Sequence, residues 1–237
     1  MAFVTLIHHL GLGDHVMLNG LARTLEKKGH QVHVIVMGHQ ADSIRFMYRD
    51  TTIKVLVTPS KNPADIRKLI VGTPFNLATY GIPDDIWSAV TFSGALGTWA
   101  HVPYFQASIN PEYMRTHFKL VRDPVREQEL FDRLCLPSEY IFEHKDPIHK
   151  DFGLVSDFPI INPSTIENPY NIFDWLLVIE KAREVHCANG GPFMWMIELL
   201  KLGGPHKNFF HISAAHGEYL PQCVKNVFTD DIWTFKD

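Results

Sequence analysis

The sequence predicts an α/β protein made of two Rossmann-like lobes, on three observations. Short β-branched runs alternate with helical patterns, and the loops between them are short, which is typical of doubly wound parallel sheets. The alternation weakens between residues 83 and 118 and resumes after a clear helix start at Asp123-Pro124. The chain has 237 residues, of which 46% are hydrophobic, so it can bury one large core or two small ones.

The first lobe is predicted over residues 1–122. An apolar strand at 3–7 enters a glycine-bracketed turn and then a helix, in which Met17, Leu21 and Leu25 recur at helical spacing. Gly29 follows a basic pair as a helix stop. The remaining elements are a strand at 31–37, a helix at 40–48, a strand at 53–57, a helix starting at 62–65 and a strand at 75–80.

The second lobe is predicted over residues 123–237, with a hinge at 122–137. Asp123 is a good N-cap and Pro124 suits the first helical position, so a helix starts there and ends before Pro137. The other elements are strands at 140–142, 159–162, 184–188, 208–212 and 226–229 and helices at 172–181 and 193–202.

Composition and charge exclude several classes of protein. The net charge of −4 and isoelectric point of about 6.4 give no overall attraction to nucleic acid or anionic membrane. Three isolated cysteines argue against a disulfide framework or structural zinc site and suit a reducing compartment. The sequence has no signal-peptide pattern and no apolar run near the roughly 20 residues of a membrane span. We therefore expect a soluble, cytoplasmic chain without a transmembrane segment.

Two loops are candidates for chemistry, because each follows a strand and opens a helix. They are Gly11-Leu12-Gly13-Asp14-His15 and Asn189-Gly190-Gly191-Pro192. Such loops lie at the carboxyl edge of a parallel sheet, where glycines let the backbone approach a ligand and unpaired helix N–H groups favour an anion. The second loop could instead be an ordinary strand–helix turn whose glycines serve packing. In the first loop, Asp14 could be a helix N-cap, worth about 1 kcal/mol, in place of or in addition to a catalytic role.

Known nucleotide and metal signatures are incomplete or absent from the sequence. Val16 stands where the dinucleotide fingerprint needs its third glycine, and the P-loop pattern does not occur. A dehydrogenase or methyltransferase assignment is weakened accordingly. No Asp-x-Asp occurs, and none of the 14 histidines has a recognised zinc spacing. The sequence thus predicts neither a bound metal nor a cofactor.

Residues 11–23, GLGDHVMLNGLAR, resemble the first loop of GT-B glycosyltransferases related to the lipopolysaccharide heptosyltransferases. The likeness is closer still to a group of small bacterial and viral, phage-type glycosyltransferase-like proteins. Further fragments resemble that group in the same order along most of the chain. They lie at 46–50, 53–54, 122–123, 140–146 and 172–187.

The resemblance implies a two-lobed transferase whose lobes face a central cleft. The N-terminal lobe would take the acceptor and the C-terminal lobe a nucleotide-diphosphate sugar, from which a hexose or pentose moves to an acceptor hydroxyl without a metal. Asp14 matches the family's loop aspartate and is the expected general base of an inverting reaction. His15 is the reserve candidate for the base or for a contact to the leaving phosphate. The nucleotide-sugar is a co-substrate, so no cofactor is implied.

On the donor side, residues 189–191 stand where relatives carry Asp-Thr/Ser-Gly or Asp-Ser-Ser. Phosphate recognition is thereby left to the backbone N–H groups of Asn189, Gly190 and Gly191. Asp174 or Glu180 would bind the nucleotide ribose, unless both are solvated helix residues. The departure from the relatives also leaves open a non-catalytic nucleotide- or sugar-binding module on the same fold.

Three basic residues after the first strand of the second lobe, Lys145, His149 and Lys150, would neutralise the diphosphate. They could equally form a charged surface loop. Ser164, after the next strand, would lie in the floor of the same cleft. The sequence indicates no obligate protein partner.

On the acceptor side, the resemblance implies contacts from Gly11, Gly13, Arg49 and Trp99. The acceptor would be a glycan, a lipid-linked sugar or a hydroxymethylated base in phage DNA. A flipped base could be held by the aromatic loop at 87–105, although the acidic overall charge disfavours DNA. In favour of DNA, the first lobe concentrates basic residues, namely Arg45, Arg49, Lys54, Lys61, Arg67 and Lys68.

Overall fold

The computed structural model describes residues 2–7, 11–70, 73–76, 100–145, 153–166, 170–188, 191–211 and 227–236. The chain divides into two compact units, Met1–Val121 and Arg122–Asp237, and the described residues of each form a parallel sheet. The predicted α/β class with parallel sheets is therefore confirmed. The predicted cleft between two lobes stays a prediction. Within the described ranges, no helix has the length and hydrophobicity that a bilayer crossing requires.

In the described part of the first unit, the sheet has four parallel strands in the order β3-β2-β1-β4. They are β1 (Phe3–Ile7), β2 (Gln31–Met37), β3 (Lys54–Thr58) and β4 (Thr73–Asn76). Parallel neighbours need crossover connections, and helices supply them here. Those helices are α1 (Leu12–Met17), α2 (Asn19–Lys27), a 3₁₀ turn (Gly38–Gln40), α3 (Ala41–Met47) and α4 (Pro63–Leu69). Two further helices, α5 (Val102–Gln106) and α6 (Tyr113–Thr116), follow the last strand.

The single helix expected through Met17, Leu21 and Leu25 is interrupted at Leu18. In a continuous helix the Leu21 N–H would donate to the Met17 carbonyl. Instead the Tyr104 hydroxyl accepts from Leu21 N at 3.1 Å and donates to the Met17 oxygen at 2.9 Å. A side chain inserted into the hydrogen-bond ladder is a known cause of helix kinks. The break therefore depends on a tyrosine more than 80 residues away.

Packing explains one glycine of α2. A Cβ on Gly20 would overlap the carbonyl oxygen of Tyr113 in α6, so the two helices approach each other closely only because residue 20 has no side chain. The core beside this contact is closed by fully buried side chains of the first unit, including Val16, Leu21 and Ile44.

The sheet of the second unit has five parallel strands in the order β6-β5-β7-β8-β9. They are β5 (Ile141–His144), β6 (Ile160–Ile161), β7 (Glu184–Ala188), β8 (Asn208–His211) and β9 (Thr234–Lys236). The helices are α7 (Pro124–Leu134), 3₁₀ turns at Pro163–Thr165 and Ile172–Trp175, α8 (Leu176–Lys181) and α9 (Pro192–Leu200).

The strand predicted at 226–229 is wrong over its described residues, 227–229, which form a turn. Val227 and Phe228 are buried as strand residues would be, and the Phe228 ring lies 4.8 Å from that of Trp195. The buried Glu198 carboxylate fixes the turn, because it accepts from Thr229 N at 3.3 Å and from Trp233 Nε1 at 3.0 Å. The fifth strand follows this turn.

Candidate functional site

The first candidate loop joins β1 to α1 at the carboxyl edge of the first sheet. Gly11 is the N-cap of α1, with φ −80° and ψ 143°, and Asp14 is the third residue of the helix. The alternative interpretation of Asp14 as N-cap is therefore wrong. Instead its carboxylate lies in the first helical turn, where the helix dipole stabilises a negative charge.

Gly11 leaves the space that the Asp14 carboxylate occupies. A Cβ on Gly11 would lie 2.8 Å from Asp14 Oδ2, closer than nonbonded atoms approach. The carboxylate is thus folded back over the start of its own helix and is partly exposed at the loop rim. Gly13, by contrast, is buried within the first turn of α1 and presents no surface to a ligand.

His15 is 1% exposed, and burial lowers its pKa to about 3. The ring is therefore neutral at physiological pH and faces the protein interior. This burial counts against His15 as the base or as a phosphate contact, because a substrate cannot reach the ring without a rearrangement of α1. Sequence periodicity did not predict the burial of His15, because residue 15 directly follows a loop and is not part of an apolar stripe at helical spacing.

Arg49 lies at the wrong edge of the sheet for the expected acceptor contact. Helix α3 starts beyond the carboxyl end of β2 and returns across the sheet, so Arg49 lies near the amino end of β3. Its guanidinium stacks on the Phe46 ring, 3.5 Å from the ring centre, and donates to the Phe46 carbonyl at 3.0 Å. The Asp14 loop is at the opposite edge.

The basic residues of the first lobe do not form one patch at the carboxyl edge. Arg45 pairs with Asp42 and Lys68 pairs with Asp65, each within its own helix. Lys54 starts β3 at the amino edge. The charge concentration that favoured a DNA acceptor is therefore distributed over both edges of the sheet and partly neutralised.

The second candidate loop joins β7 to α9. Gly191 is the N-cap of α9, with Pro192 at the first helical position as expected. A Cβ on Gly191 would overlap the ring of His144, the last residue of β5. His144 is 4% exposed and packs on Phe193, with 4.9 Å between ring centres. A histidine ring thus lies directly beneath the start of α9, which the sequence did not predict.

Asn162 connects two predicted donor-site residues at the carboxyl edge of the second sheet. Its side-chain nitrogen donates to the Lys145 carbonyl at 2.8 Å, and its side-chain oxygen accepts from Ser164 N at 2.9 Å. Lys145 directly follows β5, and Ser164 is exposed in the 3₁₀ turn after β6. The structure therefore brings Lys145, Ser164, Gly191 and His144 to the same edge.

Asp174, proposed for ribose binding, is fully buried. Arg126 Nη2 donates to Asp174 Oδ2 at 2.8 Å, and the Asn171 N–H donates to the same oxygen at 3.0 Å as part of a capping box. These bonds fasten α7 to the start of the next helical segment. We therefore assign Asp174 a structural role in place of the expected ligand contact.

Glu180, the other ribose candidate, lies at the amino edge of the second sheet. It precedes β7, and Lys207, which precedes β8, donates to its carbonyl at 2.8 Å. Arg122 donates to its carboxylate, at 2.9 Å for Nη2, and lowers the Glu180 pKa. The strands of the sheet thus separate Glu180 from the α9 loop.

Four predicted site residues, Trp99, Lys150, Asn189 and Gly190, lie outside the described residues, as does His149. In the part of the chain that is described, no group of three or more His, Cys, Asp or Glu side chains is placed to hold a metal ion.

No model of a known protein family matches the chain, and no curated protein matches it significantly. Among solved structures, the glycosyl transferase family 9 protein from Veillonella parvula DSM 2008 has a similar fold, with a TM-score of 0.55. The sequences are 8% identical, and the alignment covers 99% of this chain and 85% of that one. At that identity the likeness shows a shared fold and does not by itself show a shared activity.

Two further structures have lower scores. The iron-containing dodecameric glycosyltransferase TibC from enterotoxigenic E. coli H10407 gives a TM-score of 0.48 at 10% identity, covering 88% of this chain and 57% of that one. The E. coli heptosyltransferase WaaC with ADP gives 0.41 at 14% identity, covering 88% and 86%. These two scores are too low to add to the fold assignment.

Proposed function

We propose that this protein is a glycosyltransferase that moves a sugar from a nucleotide-diphosphate sugar to an acceptor hydroxyl. The observation that carries the proposal is the Asp14 carboxylate, folded over Gly11 in the first turn of α1 at the carboxyl edge of the first sheet. The fold shared with the Veillonella parvula glycosyl transferase family 9 structure supports it.

Asp14 would act as the general base. As the acceptor oxygen attacks C1 of the sugar, the carboxylate takes the hydroxyl proton, and the bond from C1 to the diphosphate oxygen breaks. One displacement of this kind inverts the configuration at C1.

The leaving diphosphate would bind at the start of α9. Backbone N–H groups there, together with the helix dipole, favour an anion, and Lys145 at the same edge adds positive charge. We propose that no metal takes part, because the sequence lacks the Asp-x-Asp pattern with which many sugar transferases chelate one. The proposed donor site consists of residues 189–191 with Lys145, Lys150 and Ser164, and Asp174 and Glu180 are no longer part of it.

The proposed acceptor is a hydroxyl of a glycan. Of the basic residues that favoured phage DNA, Arg45 and Lys68 are paired within their own helices, and Arg49 and Lys54 lie at the amino edge of the sheet. The charge left at the carboxyl edge is therefore smaller than the sequence suggested, which favours a carbohydrate over DNA.

The test measures thermal stability and sugar transfer with a panel of nucleoside diphosphates and their sugars, for the wild type and for Asp14→Asn. We expect one diphosphate to raise the melting temperature of both proteins, because a ligand that binds only the folded state stabilises it. Asp14→Asn should then bind the donor normally while transfer falls by about 10²–10⁴-fold. Asp42→Asn, at an exposed position of α3, is the matched control and should retain full transfer.

Three results of this test would count against the proposal in different ways. If no nucleotide stabilises either protein, the transferase proposal fails. If a donor binds but the wild type transfers its sugar to no glycan supplied as acceptor, the non-catalytic binding module that residues 189–191 suggested takes its place. Full transfer by Asp14→Asn would remove Asp14 from the role of base while leaving the transferase proposal intact.

A further inference from the structure

The break between α1 and α2 lies one helical turn after Asp14, at Leu18. The backbone there has φ −84° and ψ 0°, whereas an α-helix has ψ of about −42°. The Leu18 N–H still donates to the Asp14 carbonyl at 2.9 Å, so α1 remains helical up to this residue. The bond from Leu21 N to the Met17 carbonyl is missing, because the Tyr104 hydroxyl bonds to both groups.

The backbone groups at the break do not themselves require a tyrosine. In an unbroken helix the Leu21 N–H and the Met17 carbonyl would bind each other, and a phenylalanine at position 104 would fill almost the same volume. No proline stands between residues 12 and 27 to break the helix locally. Burial raises the pKa of Tyr104 well above its usual value of 10, so the hydroxyl keeps its proton and can always donate. What this hydroxyl adds to the fold is therefore the break itself.

Helix α2 is fixed to other elements of the first unit. Thr24 Oγ1 lies 2.7 Å from His117 Nδ1, and Arg23 Nη2 pairs with Asp50 Oδ1 at 2.7 Å. The same helix packs closely on α6 through Gly20. Because α2 is held in this way, a change of the angle at the break would move α1.

The direction of α1 decides where the Asp14 carboxylate lies. Four residues of helix span about 6 Å, so a change of about 20° at Leu18, the size of a sharp kink, moves Asp14 by about 2 Å. A misplacement of about 1 Å can already lower a rate by roughly 10²-fold. Tyr104 is fully buried, so its effect on the reaction would pass through the position of α1.

We propose that Tyr104 is a positioning residue of the transferase site, whose hydroxyl holds α1 at the angle that places the Asp14 carboxylate for proton removal. The inference rests on the proposed role of Asp14 as general base. A side chain from a distant part of the chain thus controls the rate without contacting a substrate.

The experiment compares Tyr104→Phe with the matched control Tyr140→Phe. Each substitution keeps a buried ring and removes a hydroxyl that donates to a backbone carbonyl, at 2.9 Å to Met17 and at 2.7 Å to Val178. Tyr104→Phe should lower kcat by about 10²-fold with the donor Kd unchanged, whereas Tyr140→Phe should keep the wild-type kcat. Urea unfolding of both variants separates a loss of stability from a loss of rate.

Two further measurements test whether the effect passes through Asp14. By NMR, the Cα chemical shift of Leu18 should move towards the α-helical value in Tyr104→Phe, because the Leu21 N–H and the Met17 carbonyl can then bind each other. Adding Tyr104→Phe to Asp14→Asn should lower the residual transfer rate no further, because the carboxylate that Tyr104 places is already absent.

The proposal is overturned if Tyr104→Phe keeps the wild-type kcat, if Tyr140→Phe loses as much, or if the losses from Tyr104→Phe and Asp14→Asn multiply. An unmoved Leu18 signal would also overturn it, because the core would then hold the break without the hydroxyl. If the wild type transfers no sugar, the transferase proposal fails. The Leu18 signal and the Asp14 carboxyl signal still decide whether Tyr104 places that carboxylate, so the two failures are read separately.

Discussion

The two carboxyl-edge loops share one local design and use it for different ends. In each, a glycine is the N-cap of the helix and has no room for a Cβ. At Gly11 the space is filled by the carboxylate of Asp14, three residues further along the same turn. At Gly191 it is filled by the His144 ring, which comes from a different strand. A glycine N-cap therefore does not by itself define a functional site. The chemistry of each loop depends on the side chain that occupies the space where a Cβ would be.

The two loops therefore present different chemical groups. The Gly11 loop places a negative charge at its rim and buries its histidine, His15, inside the unit. The Gly191 loop holds its helix start against two buried rings, His144 packed on Phe193. In the proposed function, the first loop supplies the base and the second binds the diphosphate. Four substitutions test whether this distinction holds.

Gly11→Ala should have the largest effect, and the effect should be on rate. The new Cβ would displace Asp14 Oδ2, and a catalytic group moved by about 1 Å can lose roughly 10²-fold in rate. Stability should change by less than about 1 kcal/mol, because the carboxylate can move. Steady-state kinetics should show a loss in kcat with donor affinity unchanged. Gly38→Ala, where a Cβ has room, is the control, and an unaltered kcat in Gly11→Ala would break the proposed link between this glycine and the base.

Gly191→Ala should act mainly on stability. Its Cβ overlaps a buried ring, and overpacking of this kind costs about 1–3 kcal/mol. Urea unfolding measures the loss, and Gly204→Ala, which has ordinary space, is the control in the same unit. In a His144→Ala background the same substitution should cost less, because the overlap is gone. Additive costs in the double variant would contradict the contact.

His15 should make the first loop sensitive to acid. Because its folded pKa of about 3 lies below the reference value of 6.5, the unfolded chain binds the proton first as pH falls. The free energy of unfolding that His15 contributes is thus complete above pH 6.5 and decreases between pH 6.5 and about 3, by at most about 1.4 kcal/mol per pH unit. Denaturant titrations of wild type and His15→Gln at several pH values test this. A difference that does not vary with pH would refute it.

Glu180→Gln should have the smallest effect. The Arg122 pair is partly exposed, so its loss should cost less than about 1 kcal/mol. Donor affinity should not change, since Glu180 lies at the amino edge away from the α9 loop. Calorimetric titration with the stabilising nucleotide checks this, with Glu129→Gln in α7 as an exposed control. A tenfold loss of donor affinity would show that Glu180 belongs to the binding site.

Local signals in the sequence were sufficient for much of the fold. Strand β2 lies at the residues its β-branched run predicts, and α4 and α7 start at their predicted caps. Asn62 accepts from Ala64 N at 2.9 Å and Asp123 from Arg126 N at 3.2 Å. These features depend on neighbours within one turn of chain, so the sequence by itself determines them.

The carboxyl-edge position of the two loops also followed from strand–helix alternation. The alternation could not predict which side chain each residue contacts in the folded unit. Asp174 and Glu180 were chosen as carboxylates near a loop, but Arg126 and Arg122 bind them in the folded unit. Arg49 was predicted as an acceptor contact because of its charge. It lies at the amino edge of the sheet because α3 runs back from the carboxyl edge to the amino edge.

Three features were decided by tertiary structure alone. The Tyr104 hydroxyl interrupts the first helix, and the His15 ring is buried in the core of the first unit. The Glu198 carboxylate binds the turn in which Val227 and Phe228 lie, so these two buried residues are not part of the sheet. Each rests on an atom supplied from a distant part of the chain or on burial by the assembled core. Propensity and spacing act over a few residues, whereas these contacts exist only once distant segments have packed together.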